Sequence, residues 1–375
     1  MSKTALDIAT VGEDGGVDSG GTTDTARSIT SIGTGYYHAC AVVNGGLQCW
    51  GHDYYGQLGD NSTTDKHVPV QVLGLTSGVA AAVGGQDHTC ALVNAGVQCW
   101  GFNDHGQLGD NSTTDRHVPV QVAGLTSSVA AITAGAYQNC ALVSGGVQCW
   151  GYNTWGVLGD NSTIDRYVPV AVSGLISGVT AVAAGYSHTC ALVNGGVQCW
   201  GYNAYGELGD NTTTERHVPV AVSGLTSGVS AIAAGDFYTC ALVNGGMQCW
   251  GDNSYGGLGD NTTTERRIPV QVSGLTSGVS AITAGAYHTC ALVNGGMQCW
   301  GRNPYGGLGD NTTTERDVPV QVENLTSGVS AISAHAWTTC AVVNGGVQCW
   351  GENLYGGLGD NTTTNRAVPV QVQFP

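Results

Sequence analysis

An all-β fold, a seven-bladed β-propeller of four-stranded antiparallel blades, is the architecture this 375-residue sequence predicts. Three observations carry that expectation. A motif recurs every fifty residues in seven copies without an insertion; each copy holds four short strand signals; and apolar residues nowhere recur at helical spacing. Trp50, Trp100, Trp150, Trp200, Trp250, Trp300 and Trp350, each followed by Gly, mark the period, as do Leu58-Gly59-Asp60-Asn61 and Val68-Pro69-Val70 with their equivalents.

One copy justifies the strands in order. Val279 to Ala284 alternates as a first strand and Gly285 to Tyr287 breaks it. His288 to Val293 is a second, and Asn294-Gly295 is the signature of a type I′ hairpin turn. Met297 to Trp300 is a third. After a Gly-rich loop comes a fourth, as in Ile268 to Val272, whose Pro269 lacks a ladder donor and so belongs on a sheet edge. Two ring closures remain open: each copy forms its own blade, or a fourth strand joins the next three and the chain ends meet in one clasped blade. The propeller is expected over residues 28–375. Residues 1–27, rich in Gly, Ser, Thr and Asp, read as a flexible acidic segment.

The hairpin fixes the cysteines. With a two-residue turn at Asn44-Gly45, Cys40 faces Cys49 as a non-hydrogen-bonded pair, about 4.5 Å between Cα atoms. Seven local disulfides are therefore expected: Cys40–Cys49, Cys90–Cys99, Cys140–Cys149, Cys190–Cys199, Cys240–Cys249, Cys290–Cys299 and Cys340–Cys349, which use all 14 cysteines. Buried thiols and a metal are the alternatives, the metal opposed by a spacing foreign to zinc sites. Paired cysteines suggest an extracellular or cell-surface location, although the first ten residues lack the apolar stretch of a secretory signal.

Composition excludes several roles. With 42% apolar and 10% charged residues the chain is not disordered. Lys and Arg total 11 against 27 Asp and Glu, a net charge of −16, which opposes nucleic acid as partner. No run reaches the roughly 18 apolar residues of a membrane span. Hydrolase, phosphate-binding and metalloprotease motifs are missing, so no catalytic residue, metal or cofactor is expected.

The strings Gly285-Ala286-Tyr287-His288-Thr289-Cys290-Ala291-Leu292 and Trp300-Gly301-Arg302-Asn303-Pro304-Tyr305-Gly306-Gly307-Leu308-Gly309 resemble the family of regulator-of-chromosome-condensation repeats. The resemblance spans all seven copies and implies a seven-bladed propeller, in phrasing most similar to bacterial members, among them a secreted inhibitor of β-lactamase. The eukaryotic namesake exchanges nucleotide on a small GTPase through an inserted wedge and a basic tail. Here no copy carries an insertion and the tail is acidic, which opposes exchange activity. The plant photoreceptor of the family uses clustered Trp and Arg, which only Ala336-Trp337-Thr338-Thr339 approaches.

Comparing copies separates scaffold from site. Variation falls in two windows, Tyr36-Tyr37 and His52 to Tyr55 with their equivalents, which an antiparallel meander places at one end. The candidate binding residues are Tyr37, Asp87, Asp104, Tyr137, Trp155, Asp236, Phe237, Tyr287, Arg302 and Trp337, since Tyr, Trp and Arg anchor protein contacts. The recurrent Tyr205, Tyr255, Tyr305 and Tyr355 fit blade packing as well as binding. His38, His88, His188 and His288, replaced elsewhere by Gln138, Tyr238 and Thr338, fit structural hydrogen bonding. Asp60 and its equivalents are expected to open an Asx turn and to form an ion pair linking blades, with a per-blade calcium or sugar site as alternative. The expected function is non-catalytic binding of a protein, basic if the acidic residues set its charge, by a monomeric propeller acting as inhibitor or adaptor. A lectin-like module and a nucleotide exchange factor are the alternatives.

Overall fold

The computed structural model describes residues 27–375, so the acidic segment expected over 1–27 lies, but for Arg27, outside the described residues. In the first copy, β1 (Ile29–Thr34), β2 (His38–Val43), β3 (Gly46–Gly51) and β4 (Lys66–Gln71) form one antiparallel meander in that order. Each later copy repeats it, ending with Val329–His335, Thr338–Val343, Gly346–Gly351 and Arg366–Gln371. Every copy is its own blade and no described strand crosses from the last blade to the first, which settles the closure left open by the sequence. No helix among the described residues is long and apolar enough to cross a membrane.

First strands line the axis, where Gly33, Gly84, Ala134, Ala184, Ala234, Ala284 and Ala334 meet. Their size is dictated by crowding: a Cβ on Gly33 would fall on the Ala82 carbonyl of the next blade. Fourth strands lie at the rim, where Pro69 faces no neighbour that needs its missing N–H. The fourth strand begins two residues earlier than expected, at the basic residue Lys66 or Arg116, because that residue pairs with the third-strand Gly51 or Gly101.

The hairpins follow the expected register, with Cys40 opposite Cys49 and Val43 opposite Gly46. Asn44 and Gly45 have φ of 53° and 76°, the two positive values that a type I′ turn requires. All seven bridges are formed, with Cα atoms 4.0 to 4.1 Å apart and no cysteine left free.

The core lies between blades. At one seam Val97, Leu108 and Val122 of blade 2 pack on Ile132, Ala141 and Trp150 of blade 3. Each third-strand Trp is sealed from solvent and donates its indole N–H to a carbonyl of the preceding blade, as Trp100 does to Gln57 O at 2.9 Å. Trp50 makes the same bond to Gly357 O at 2.9 Å, across the seam between blades 7 and 1. There Ile29, Ile32 and Trp50 pack with Cys349, Leu358 and Val372. The ring therefore closes by packing and hydrogen bonds, the backbone bond from Asn361 N–H to His67 O at 2.9 Å included, without a shared strand.

Candidate functional site

Within a meander, the loop after the first strand and the loop after the third emerge at the same end, so both variable windows share one face. Their rings touch in a continuous network. Phe237, Tyr287 and Trp337 follow one another around the axis with successive centroids 6.1 and 5.6 Å apart, and Tyr186, from the inward position of its window, meets Phe237 at 5.8 Å. Tyr205, Tyr255, Tyr305 and Tyr355 each stand edge-on to the first-window ring of the next blade, respectively Phe237, Tyr287, Trp337 and Tyr37. The recurrent tyrosines thus bridge blades while part of each ring still meets solvent.

The ten candidate residues divide by depth. Tyr37, Tyr137, Phe237, Tyr287 and Trp337 are half-buried in the inner ring. Trp155 lies further out against Tyr202 and is 36% exposed, and Asp104 is exposed. Asp87 faces Gln57 and, at 3.6 Å, His52. Arg302 is held over three rings, its guanidinium carbon 4.2 Å from the Tyr255 centroid, 4.8 Å from Trp337 and 5.6 Å from Tyr287.

Asp236 needs correction as a residue offered to a partner. It is only 8% exposed, and its carboxylate accepts a hydrogen bond from the Tyr36 hydroxyl of blade 1, across the axis. The reason is directional: the two residues of the first window point different ways, the second upward into the aromatic ring and the first inward. Tyr36 and Tyr186 occupy that inward position too, and their rings meet at 6.4 Å. Burial pushes the Asp236 carboxyl up to about 7, against the opposing pull of the Tyr36 hydroxyl, and raises the Tyr36 hydroxyl as well. Sequence reasoning passed over Tyr36 because neighbours in one variable loop look alike.

The histidines do hydrogen-bond structurally. His38, His188 and His288 each meet a Thr hydroxyl of the next blade at 2.8 to 2.9 Å through Nε2, and His88 meets Asn139 Oδ1 at 3.0 Å. Gln138 and Tyr238 reach next-blade carbonyls instead. Burial lowers His38 and His188 to about 3 and His88 and His288 to about 4, so these rings stay neutral.

The Asx turn is present, with Ser112 N–H donating to Asp110 Oδ1 at 3.1 Å, but the ion pair does not link blades. Arg116 bonds Asp110 of its own loop at 3.0 Å, and the pattern repeats through Arg366–Asp360. A separation of six residues lets the cation close the loop at the base of its own fourth strand. The inter-blade bond comes from backbone, Asn61 N–H to His117 O at 3.1 Å. In Asp210 one oxygen accepts from Thr212 and Asn203 and the other from Arg216, which leaves little for a calcium ion or a sugar. Burial alone would raise the Asp210 carboxyl, yet the Thr212 hydroxyl and Arg216 outweigh it and hold it low.

Blade 1 breaks this network. In six copies an Asn sits at the loop centre; Asn103 Nδ2 donates to Asp110 Oδ1, Ser112 O and Thr114 O. Asp53 puts a carboxylate there instead, and burial pushes it up to about 6 although Leu58 N–H and the Ser62 hydroxyl pull it down. A folded value above the ordinary 3.8 means that its contribution is favourable below about pH 4 and is lost as pH rises through about 6. Asp53→Asn is therefore expected to stabilise the protein by about 1–3 kcal/mol at pH 8 and by much less at pH 4. Urea midpoints at the two pH values check this; a gain independent of pH would contradict it.

With the cation that opens each fourth strand committed to its own Asp, and Arg267 to Glu265, many of the other carboxylates lie on the same face, among them Asp65, Asp87, Asp104, Asp115, Asp252 and Glu352. Arg302, stacked on aromatic rings rather than paired with a carboxylate, offsets one charge of this excess.

Fold and face together define a single-ring propeller of tandem repeats, stapled once per blade, with one aromatic and acidic end. The chain belongs to the RCC1-like domain family: that family's model matches residues 97–375, and the Regulator of chromosome condensation (RCC1) repeat matches residues 44–92 and 29–57. No curated protein matches significantly. Among solved structures it is similar to yeast RCC1 (Prp20) bound to Kap60, with a TM-score of 0.76 and 21% identity over 100% of this chain and 89% of that one. Human WBSCR16 gives a TM-score of 0.74 and 24% identity, covering 84% of this chain and 86% of that one. Saccharomyces cerevisiae Prp20p, described with its binding to Gsp1p and histones, gives 0.72 and 20%, covering 82% and 80%. At these identities the likeness concerns the fold.

Proposed function

We propose that this chain is a binding propeller without catalytic chemistry of its own, which docks a basic protein through its aromatic loop face. One observation carries the reading: a continuous, part-exposed aromatic network, rimmed by carboxylates, on one end only of a rigid ring. Rigid rings lose little entropy on binding, and aromatic anchors give the most affinity per residue. Carboxylates around them favour encounter with a cationic surface. The propeller of yeast Prp20p, similar in fold, is described by its binding of proteins, histones included. The seven bridges suit an oxidising compartment, so the partner is sought outside the cell or at its surface, an enzyme inhibited by the propeller being one form of it.

The test compares two faces. Trp155→Ala with Trp337→Ala is expected to weaken capture of a partner from culture fluid by at least about thirtyfold, the scale of a lost anchor. Leu73→Ser with Ile176→Ser alters exposed residues at the opposite end and should leave capture unchanged. The reverse pattern would place binding on the wrong end. A nucleotide exchange factor would instead accelerate nucleotide release from a small GTPase, which a fluorescence assay reads directly.

A further inference from the structure

The second-window residue that follows the Trp-Gly pair differs in almost every blade: His52, Phe102, Tyr152, Tyr202, Asp252, Arg302 and Glu352. Arg302 shows what this position faces. Its guanidinium lies over a ring of the preceding blade, Tyr255, a ring of its own blade, Tyr287, and a ring of the following blade, Trp337. The equivalent rings for Glu352, one step further round, are Tyr305, Trp337 and Tyr37. All three are aromatic, and Tyr305 stands edge-on to Trp337 while Tyr355 stands edge-on to Tyr37.

By equivalence of the repeats, blade 7 carries a carboxylate where blade 6 carries the guanidinium, with aromatic residues at the same three ring positions. A cage of π faces attracts a cation and gives nothing to a carboxylate. The Glu352 oxygen Oε2 is sealed from solvent and has no hydrogen-bond partner, and no cationic side chain of the described residues pairs with it. Burial raises its carboxyl, and burial likewise raises the Tyr37 hydroxyl of the facing blade, with the Glu352 charge adding to it. The backbone is fixed at both ends: Glu352 N–H donates to Trp337 O at 3.2 Å, and the Thr338 hydroxyl donates to Glu352 O at 3.1 Å. Asp252 stands at the same place in blade 5, but its shorter carboxylate is spent on Ser254 N–H and hydroxyl, so it offers no such site.

We propose that Glu352, Trp337, Tyr305 and Tyr37 form a cation box at the seam between blades 7 and 1, which receives an arginine side chain of the partner protein. The proposal rests on the reading of this face as the docking surface and names the group it recognises. A guanidinium suits the box better than an ammonium, because its flat face stacks on rings while its edge donates to the carboxylate through Oε1, the oxygen that is not sealed. Arg302, in the neighbouring cage, is the chain's own example of the stacking half of that geometry.

The test uses the full chain carrying Trp155→Phe, so that Trp337 is the one tryptophan outside the buried repeat positions, and follows its indole N–H resonance. Acetyl-Gly-Arg-Gly amide is expected to shift it saturably, with Kd on the order of 1 mM for a single side chain. The same peptide with citrulline, neutral and nearly identical in shape, should not. Glu352→Gln should weaken the arginine peptide at least tenfold, and Glu352→Arg, which fills the box from within as Arg302 fills its own, should abolish binding. Equal shifts from both peptides, or arginine binding unchanged in Glu352→Gln, would overturn the box. The docking face fails separately: if Glu352→Gln captures the partner as the parent does while the Trp155→Ala, Trp337→Ala pair does not, the face stands and the box falls. Capture that survives the Trp pair removes both.

Discussion

Replacing Trp50 by Ala is expected to cost about 3–5 kcal/mol and to open the ring at one place, the seam between blades 7 and 1. Trp50 is sealed from solvent, fills the space between Cys349, Leu358 and Val372, and satisfies Gly357 O with its indole N–H. Removing it leaves a cavity and an orphaned carbonyl together. Trp200→Ala opens the equivalent cavity between blades 3 and 4, where Nε1–H meets Val157 O at 2.8 Å, but the Thr189 hydroxyl also donates to that carbonyl at 3.0 Å, so it should cost somewhat less. The consequences differ because the chain runs from blade 3 to blade 4 but not from blade 7 to blade 1. A weakened inner seam stays tethered by the chain, whereas the closing seam is held by non-covalent contacts alone, packing and hydrogen bonds such as Asn361 N–H to His67 O at 2.9 Å. Hydrogen exchange separates the two: in Trp50→Ala, protection should fall first in β1 and in the last blade, while Trp200→Ala should lose protection more evenly. Matching exchange patterns would mean that closure draws on something other than this seam.

Much of the fold was legible because it is local. The Asn-Gly turn sets the hairpin register, and the register brings Cys40 to Cys49 without help from any distant residue. The common face of the two windows followed from strand direction alone. What stayed hidden needed a neighbouring blade or a side-chain direction. Asp236 and Phe237 are adjacent in a single loop, yet one turns inward to Tyr36 and the other joins the aromatic ring. Arg116 could have reached a neighbouring blade or its own loop, and only the placement of the fourth strand selects Asp110. Glu352 and Tyr37 lie at opposite ends of the sequence and meet because the circle closes there. A fifty-residue period tells which positions are equivalent, but not which side chain of the next blade each one faces.

Removing the bridge of one blade, as in Cys190→Ala with Cys199→Ala, is expected to cost about 2 kcal/mol, and reducing all seven should abolish cooperative folding. Each bridge closes a span of nine residues inside one hairpin, so its effect is to restrict the unfolded hairpin and not to tie blades together. Seven such terms together are comparable with the whole stability of an ordinary domain, about 5–15 kcal/mol. The bridges are also inaccessible: their sulfurs sit among core residues, with no bridge cysteine more than 3% exposed. A reductant must therefore wait for a blade to open, and the rate of reduction in native buffer becomes a measure of that opening. In the parent protein the seven should resist dithiothreitol together and fall together. In Trp50→Ala, alkylation and mass spectrometry should find Cys40–Cys49 and Cys340–Cys349 reduced before the rest, because those hairpins flank the weakened seam. Rapid, uniform reduction of the parent would show that the hairpins breathe independently of the ring, and that the closing seam does not govern access to its core.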